Sequence, residues 1–244
     1  YLITRWKELG KINGKEYIVK TIVTTETIKT IAERNGVEMY DVYTGFKWIA
    51  NVMRENEGKK NYIGGGEESY GFLCEDFVRD KDAVSACVIL AEIAAWAKDQ
   101  GLSLYQLLQK IYVEYGFSKE KGISVVKKGK SGAEEIEAMM KKFRENPLTE
   151  IAGSKVTYFY DYSTLKGKDY AENETVTLDM PTTSNVLQYF TEDNTKVSIR
   201  PSGTEPKIKF YCEVHSKVKS IDELPEAEKA AEEKINQIKA SLGI

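Results

Sequence analysis

The sequence predicts a mixed α/β protein in two parts: a layered α/β domain with a mixed sheet, then a smaller domain whose antiparallel sheet is covered by helices. Three observations carry that prediction. Short β-branched strands alternate with amphipathic helical stretches early in the chain, strands dominate after Pro147, and a long apolar stripe at helical spacing closes the sequence. Of 244 residues, 41% are hydrophobic and 30% charged, with 35 Lys and Arg against 38 Asp and Glu. This excludes a disordered chain and provides no excess of positive charge for gripping a polyanion, so no nucleic-acid partner is expected.

Tyr1 to Trp6 looks like the middle of a helix, as expected for a piece of a longer chain. Tyr17 to Val23 is an apolar, β-branched strand, followed by a Thr24-Thr25 cap and a helical face at Ile28, Ile31 and Ala32 that ends near Asn35-Gly36. A short strand from Val37 to Val42 leads through Thr44-Gly45 to a helix with Phe46, Ile49, Ala50 and Met53 on one face. Asn61 to Gly66 then enters a glycine-rich loop. The apolar run from Ala83 to Ala97 is interrupted by Ser85 and Glu92 and flanked by Asp82 and Lys98. It falls short of the ~20 residues a membrane span needs and reads as a buried helix from about Lys81 to Gln100, with Cys87 as core filler. No membrane partner is expected. Ser103 caps the next helix, whose Leu104, Leu107, Leu108, Ile111, Tyr112 and Tyr115 form an apolar stripe.

A further helix, capped by Ser131 and carrying Ile136, Met139, Met140 and Phe143, stops at Asn146-Pro147, because proline cannot continue the hydrogen-bond ladder. The domain boundary is placed there, dividing the chain into 1–146 and 147–244. Strands follow at Lys155 to Asp161, Thr175 to Leu178, Val186 to Phe190, Lys196 to Ile199 and Lys207 to Val214. In the last, Ile208, Phe210, Cys212 and Val214 alternate with polar residues, the sign of a sheet buried on one face. Leu224, Ala227, Ala231, Ile235, Ile238 and Leu242 line one face of a terminal helix that can cover it. Three cysteines, Cys74, Cys87 and Cys212, without CxxC spacing, indicate reduced thiols, no zinc site and a cytoplasmic location.

Two loops have the composition of ligand sites. In Gly64-Gly65-Gly66-Glu67-Glu68-Ser69-Tyr70-Gly71, glycines allow close approach, while carboxylates and a hydroxyl suit the hydroxyls of a polyol. A solvated turn would use the same residues. In Arg200-Pro201-Ser202-Gly203-Thr204-Glu205-Pro206, the guanidinium can grip two phosphate oxygens, and Gly203 lets main-chain N–H groups curl into an anion-binding nest. The plainer alternative is a hairpin turn. Neither loop is a Walker or Rossmann glycine motif. In Arg79-Asp80-Lys81-Asp82 the aspartates suit helix caps. Lys81, if enclosed beside a phosphate, could transfer a proton; otherwise it is a surface lysine. The one histidine, His215, ends a strand and is a poor candidate for a catalytic triad. No DxDxD or HExxH pattern supplies metal ligands.

Taken together and in this order, Gly66-Glu67-Glu68-Ser69-Tyr70-Gly71 and Arg200-Pro201-Ser202-Gly203-Thr204-Glu205-Pro206-Lys207 resemble the sugar-recognition and phosphate-binding loops of the α-D-phosphohexomutases. That family includes phosphoglucomutase and phosphomannomutase. Thr44-Gly45-Phe46-Lys47 and Ser184-Asn185-Val186-Leu187 add to the likeness, which spans the third and fourth of the family's four domains. The resemblance implies that Glu67 and Ser69 hydrogen-bond sugar hydroxyls, and that Arg200, Ser202, Gly203 and Thr204 cradle the phosphate that is not transferring. It also implies that Lys81 aligns with a lysine proposed for proton transfer in some relatives.

The family's phosphoserine and Mg²⁺ loops do not occur in this sequence. Mg²⁺ and a glucose 1,6-bisphosphate-type activator are therefore expected only with the full-length enzyme, and the fragment alone is expected to be inactive. Its expected partners are a phosphosugar and the missing N-terminal domains of the same chain. The Gly-Glu-Glu-Ser-Tyr-Gly form favours glucose phosphate. However, Ser103 to Gly116 resembles a branch that also holds phosphopentomutases and glucose-1,6-bisphosphate synthases. A phosphomannomutase, a phosphopentomutase and a non-catalytic phosphosugar-binding module stay open as alternatives.

Overall fold

Parallel pairing of three short strands organises the first half of the chain. In the computed structural model, which describes residues 1–244, the elements of this half are α1 (Leu2–Glu8), β1 (Glu16–Thr21), α2 (Thr27–Arg34), β2 (Glu38–Val42), α3 (Phe46–Asn56), β3 (Asn61–Glu67), β4 (Gly71–Cys74), α4 (Ala83–Asp99) and α5 (Leu104–Tyr115). The sheet order is β2-β1-β3-β4, with β1 parallel to both β2 and β3 and β4 antiparallel to β3. Strand alternation divides the apolar side chains between two cores. Tyr17, Val19, Tyr62 and Leu73 pack with Phe46, Ile49 and Met53 of α3. Ile18 and Ile63 face the other way, onto Ile3 of α1 and Ala32 and Ile31 of α2.

Two expectations in this half are corrected. Gly64, Gly65 and Gly66 lie within β3, so the glycine-rich segment is a strand. A Cβ on Gly65 would sit 2.3 Å from the Val19 carbonyl oxygen, and one on Gly66 would sit 2.3 Å from that of Gly71, so close backbone approach demands glycine here. The helix α4 is not buried: only Ala97 is enclosed, whereas Val84 is 74% and Val88 61% exposed, and Cys87 is exposed too. Its apolar residues run all round the helix, but burial also requires a partner surface on every side. Between α4–α5 and the α1–α2 face of the sheet lies a cavity of about 910 Å³ whose walls include Ile18, Ile28, Ile63, Ile89, Trp96 and Ile111. No helix is long and apolar enough to cross a membrane.

The second half contains β5 (Phe117–Val126), α6 (Gly129–Glu145), β6 (Glu150–Ile151), β7 (Ser154–Asp161), β8 (Lys166–Asp169), β9 (Glu174–Thr177), β10 (Leu187–Thr191), β11 (Lys196–Pro201), β12 (Lys207–Ser216), a 3₁₀ turn at Ile221–Glu223 and α7 (Leu224–Leu242). Seven strands follow the order β5-β12-β11-β10-β7-β8-β9, with β6 paired to β7, and every pairing is antiparallel. Ile208, Phe210, Cys212 and Val214 are buried on one face, as their alternation predicts, and α6 and α7 pack against β12. Phe210 meets Phe143 of α6 edge-on, with ring centroids 6.3 Å apart.

The chain divides into two compact units at Tyr115/Gly116, not at 146/147. The cause is β5, which pairs with β12 along its whole length and so draws α6 into the second unit. Ser118 to Gly122 carries charge and glycine in the middle of that strand, so no local pattern announces it. The antiparallel unit, Gly116–Ile244, is consequently the longer of the two. Ser131 is not the cap of α6, which starts at Gly129 after Lys128. Its other end is as expected: the last helical residue is Glu145, and Asn146, ahead of Pro147, is the C-cap. Ser103 does cap α5: its Oγ accepts the Gln106 N–H at 3.2 Å, and Gln106 Oε1 accepts the Ser103 N–H at 2.8 Å.

Candidate functional site

The sheet of the first unit places its polar residues where open α/β sheets bind ligands. The chain passes from β1 to β2 on one side and then crosses to β3 on the other, which leaves a crevice beyond the carboxyl ends of β1 and β3. Lys20 and Thr21 end β1, and Gly66 and Glu67 end β3. The hairpin Glu67–Gly71 projects from that edge.

Glu67 Oε1 accepts the Gly45 N–H at 2.6 Å, so this carboxylate caps the N-terminus of α3, where the helix dipole favours negative charge. Gly45 reaches the geometry with φ 111°, open to glycine and not to other residues. Ser69 lies at the exposed tip beside Tyr70, which is fully exposed with φ 57°. Lys81 Nζ stands 5.8 Å from the Phe46 ring centroid, so Lys81 and Glu67 flank the same helix start. Its side chain is 49% exposed and bonded to Asp80 at 3.1 Å, the geometry of a surface lysine rather than an enclosed one. Of the two aspartates, Asp82 caps α4 by accepting the Ser85 N–H at 2.8 Å and the Val84 N–H at 3.3 Å. The Ser85 N–H and hydroxyl hold its carboxyl below the usual range.

Sequence reasoning missed a second set of contacts on the same hairpin. Of the expected Thr24-Thr25 cap, Thr25 Oγ1 accepts the N–H of Thr27 at the start of α2 at 3.2 Å, whereas the Thr24 hydroxyl donates to Glu68 Oε2 at 3.0 Å. Thr21 Oγ1 lies 2.9 Å from Thr24 Oγ1 and 3.3 Å from Glu68 Oε2. Beneath this turn, the buried Lys20 ammonium pairs with Asp41 at 2.7 Å and Glu26 at 3.0 Å. The signal available in the sequence was a lysine inside a β-branched strand, since a lysine buried there must find carboxylates.

The second candidate loop joins β11 to β12. Arg200 sits opposite Lys209 in the ladder, so two cations share one face of the sheet at the hairpin's base. Ser202 Oγ accepts the N–H groups of Thr204, at 3.4 Å, and Glu205, at 3.3 Å. That corrects the expected nest: Gly203 has no left-handed φ, and the turn is organised by the Ser202 hydroxyl. A Cβ on Gly203 would meet nothing within 4 Å, so the loop is open at that point. Lys207 Nζ bonds Glu205 Oε2 at 2.7 Å and holds the Glu205 carboxyl below its ordinary range. The expected Ser184-Asn185 segment is anchored separately, by Arg144 Nη2 donating to Asn185 Oδ1 at 2.8 Å.

His215 is stacked over Gly116, where a Cβ would come within 2.5 Å of its Nε2. No group of three or more His, Cys, Asp or Glu side chains is arranged to hold a metal ion.

An α/β unit followed by a helix-backed antiparallel unit is also the fold of a phosphoglucomutase/phosphomannomutase family protein from Burkholderia thailandensis. That structure matches at a TM-score of 0.56 and 16% identity, over 99% of this chain and 41% of the other. Family models give the closer assignment: residues 1–115 match phosphoglucomutase/phosphomannomutase alpha/beta/alpha domain III, and residues 124–231 match the C-terminal domain. The chain belongs to the phosphoglucomutase/phosphomannomutase family. It is similar to the phosphoglucomutase of Staphylococcus haemolyticus, 35% identical over 214 residues, and to that of Staphylococcus aureus, 40% identical over 194 residues. These alignments cover 88% and 80% of this chain but only 39% and 35% of the relatives' lengths.

Proposed function

We propose that this chain is the sugar- and phosphate-holding part of a cytoplasmic phosphosugar mutase that interconverts hexose 1-phosphate and hexose 6-phosphate, with glucose the preferred hexose. The observation that carries the reading is the Glu67–Ser69 hairpin at the carboxyl ends of the parallel strands, in a chain 35–40% identical to phosphoglucomutases. Glu67 and Ser69 would bond sugar hydroxyls. With one oxygen held by Gly45 N–H, the Glu67 carboxylate keeps a second oxygen for a ligand and loses little freedom on binding. Arg200, with Ser202, Gly203 and Thr204, would hold the phosphate not being transferred, the guanidinium in two parallel charge-assisted bonds. Lys81 is the candidate proton-transfer residue.

The reaction expected of the whole enzyme passes phosphate from a phosphoserine to the sugar. The resulting bisphosphate reorients and returns its other phosphate to the serine. Because the substrate binds in both orientations, holding groups matter as much as reacting ones. The phosphoserine, the Mg²⁺ ligands and the response to a bisphosphate activator belong, in this proposal, to parts of the parent outside these residues, and the fragment alone has no turnover. The test is a mutase assay on the full-length parent with glucose, mannose and pentose 1-phosphates. Preference for glucose supports the reading, preference for mannose or pentose corrects the substrate, and no turnover with any of them would leave a phosphosugar-binding module.

A further inference from the structure

We infer that Glu68, through the hydroxyls of Thr21 and Thr24, is the positioning residue that sets the sugar hairpin at its working height. The inference rests on the proposed role of Glu67 and Ser69. Glu67 closes β3 and Glu68 opens the turn that follows, and these two consecutive carboxylates tie one hairpin to two different neighbours. Glu67 reaches the start of α3 through Gly45 N–H, and Glu68 reaches the end of β1 through Thr24 and Thr21. Thr21 and Thr24 are buried, and their oxygens are 2.9 Å apart, so one hydroxyl can donate to the next and the last to the carboxylate.

The turn bearing these threonines is itself fastened. The Thr24 N–H donates to the Thr21 carbonyl at 2.9 Å, and Lys20 beneath it holds Asp41 and Glu26. Glu68 therefore joins the hairpin to a turn that is held by its own backbone bond and by the Lys20 ion pairs. Without that brace, Ser69 and the free oxygen of Glu67 would hang from an exposed tip held on one side only.

The experiment is steady-state kinetics on the full-length parent, with Thr24→Val, Thr24→Ser, Glu68→Ala and Glu68→Gln compared at equal folded fraction by thermal melting. A displaced hairpin should raise KM for the sugar phosphate about tenfold in Thr24→Val and Glu68→Ala, because small misplacements of binding groups are costly. Thr24→Ser keeps the donor and Glu68→Gln keeps an acceptor oxygen, so both should return KM towards wild type. A role limited to folding would instead lower the amount of active enzyme at unchanged KM, and that result overturns the inference, as does a failure of Thr24→Ser to rescue. Glu67→Ala separates the two levels. If it abolishes activity while Thr24→Val and Glu68→Ala behave as wild type, only the positioning role falls; if it retains full activity, the sugar-hairpin reading falls first.

Discussion

The hairpin of β3 and β4 and the hairpin of β11 and β12 carry the two candidate loops, and they are held in different ways. The first is tied outward: Glu67 to α3, Glu68 to the end of β1, and Gly65 and Gly66 pressed against neighbouring backbone. The second is tied mainly to itself, with Ser202 Oγ on the N–H groups of Thr204 and Glu205, and Lys207 on Glu205. A neutral hydroxyl ligand offers little energy per contact, so its site benefits from being rigid beforehand. A phosphate offers charge-assisted bonds strong enough to reorganise a small turn on arrival.

Removing the support beneath the phosphate hairpin should have the largest effect. Phe210→Ala empties a fully buried position on β12 and should cost about 3–5 kcal/mol in a urea melt, lowering the midpoint of the second unit. If Phe210→Ala melts like wild type, this hairpin does not depend on its core. Next, Arg200→Ala should weaken binding of a sugar phosphate by roughly 100-fold in calorimetry on the full-length parent, with the thermal midpoint nearly unchanged, because a charge-assisted pair is lost at an unburied site. Equal affinity would remove Arg200 from the phosphate role.

The glycines provide a direct contrast. Gly65→Ala must displace both the Val19 carbonyl and the Tyr62 hydroxyl and should destabilise by about 1–3 kcal/mol. Gly203→Ala meets open space and should change stability by less than about 0.5 kcal/mol. Equal melting of the two variants would erase the distinction between a braced and a self-contained hairpin.

The smallest effect is one of pH. Burial pushes the Glu16 carboxyl up, but the Asn13 N–H, the Asn61 side-chain amide, its own N–H and the Gly14 N–H outweigh it and leave its pKa lowered. A depressed folded-state pKa stabilises above the unfolded value and is lost as pH falls through the folded one. Urea midpoints of the first unit should thus decline below about pH 4–5, and Glu16→Gln should flatten that decline. An unchanged slope in the variant would assign the acid sensitivity elsewhere.

Most of the fold was legible because burial leaves a periodic trace. The alternation of Ile208, Phe210, Cys212 and Val214, and the stripe from Leu224 to Leu242, appear in the structure as a sheet face and the helix α7 associated with it. Elements escaped notice where their stabilisation is distant. Phe117–Val126 is a strand only because β12 lies beside it, and the glycines of β3 looked like a loop because the backbone that crowds them belongs to β1 and β4. The candidate site was legible as two loop compositions, whereas Thr24 looked like a helix cap because its partner, Glu68, is 44 residues away.

Local chemistry determined the amphipathic helices and the alternating strands, the family resemblance and the residue types offered to a sugar and a phosphate, since each is recorded in neighbouring side chains. Only the tertiary structure decided where the chain divides, that α4 keeps an uncovered apolar surface, and which hydroxyls and N–H groups hold the two acidic residues of the hairpin. Those outcomes depend on pairings between residues far apart in sequence, and no local period reports them.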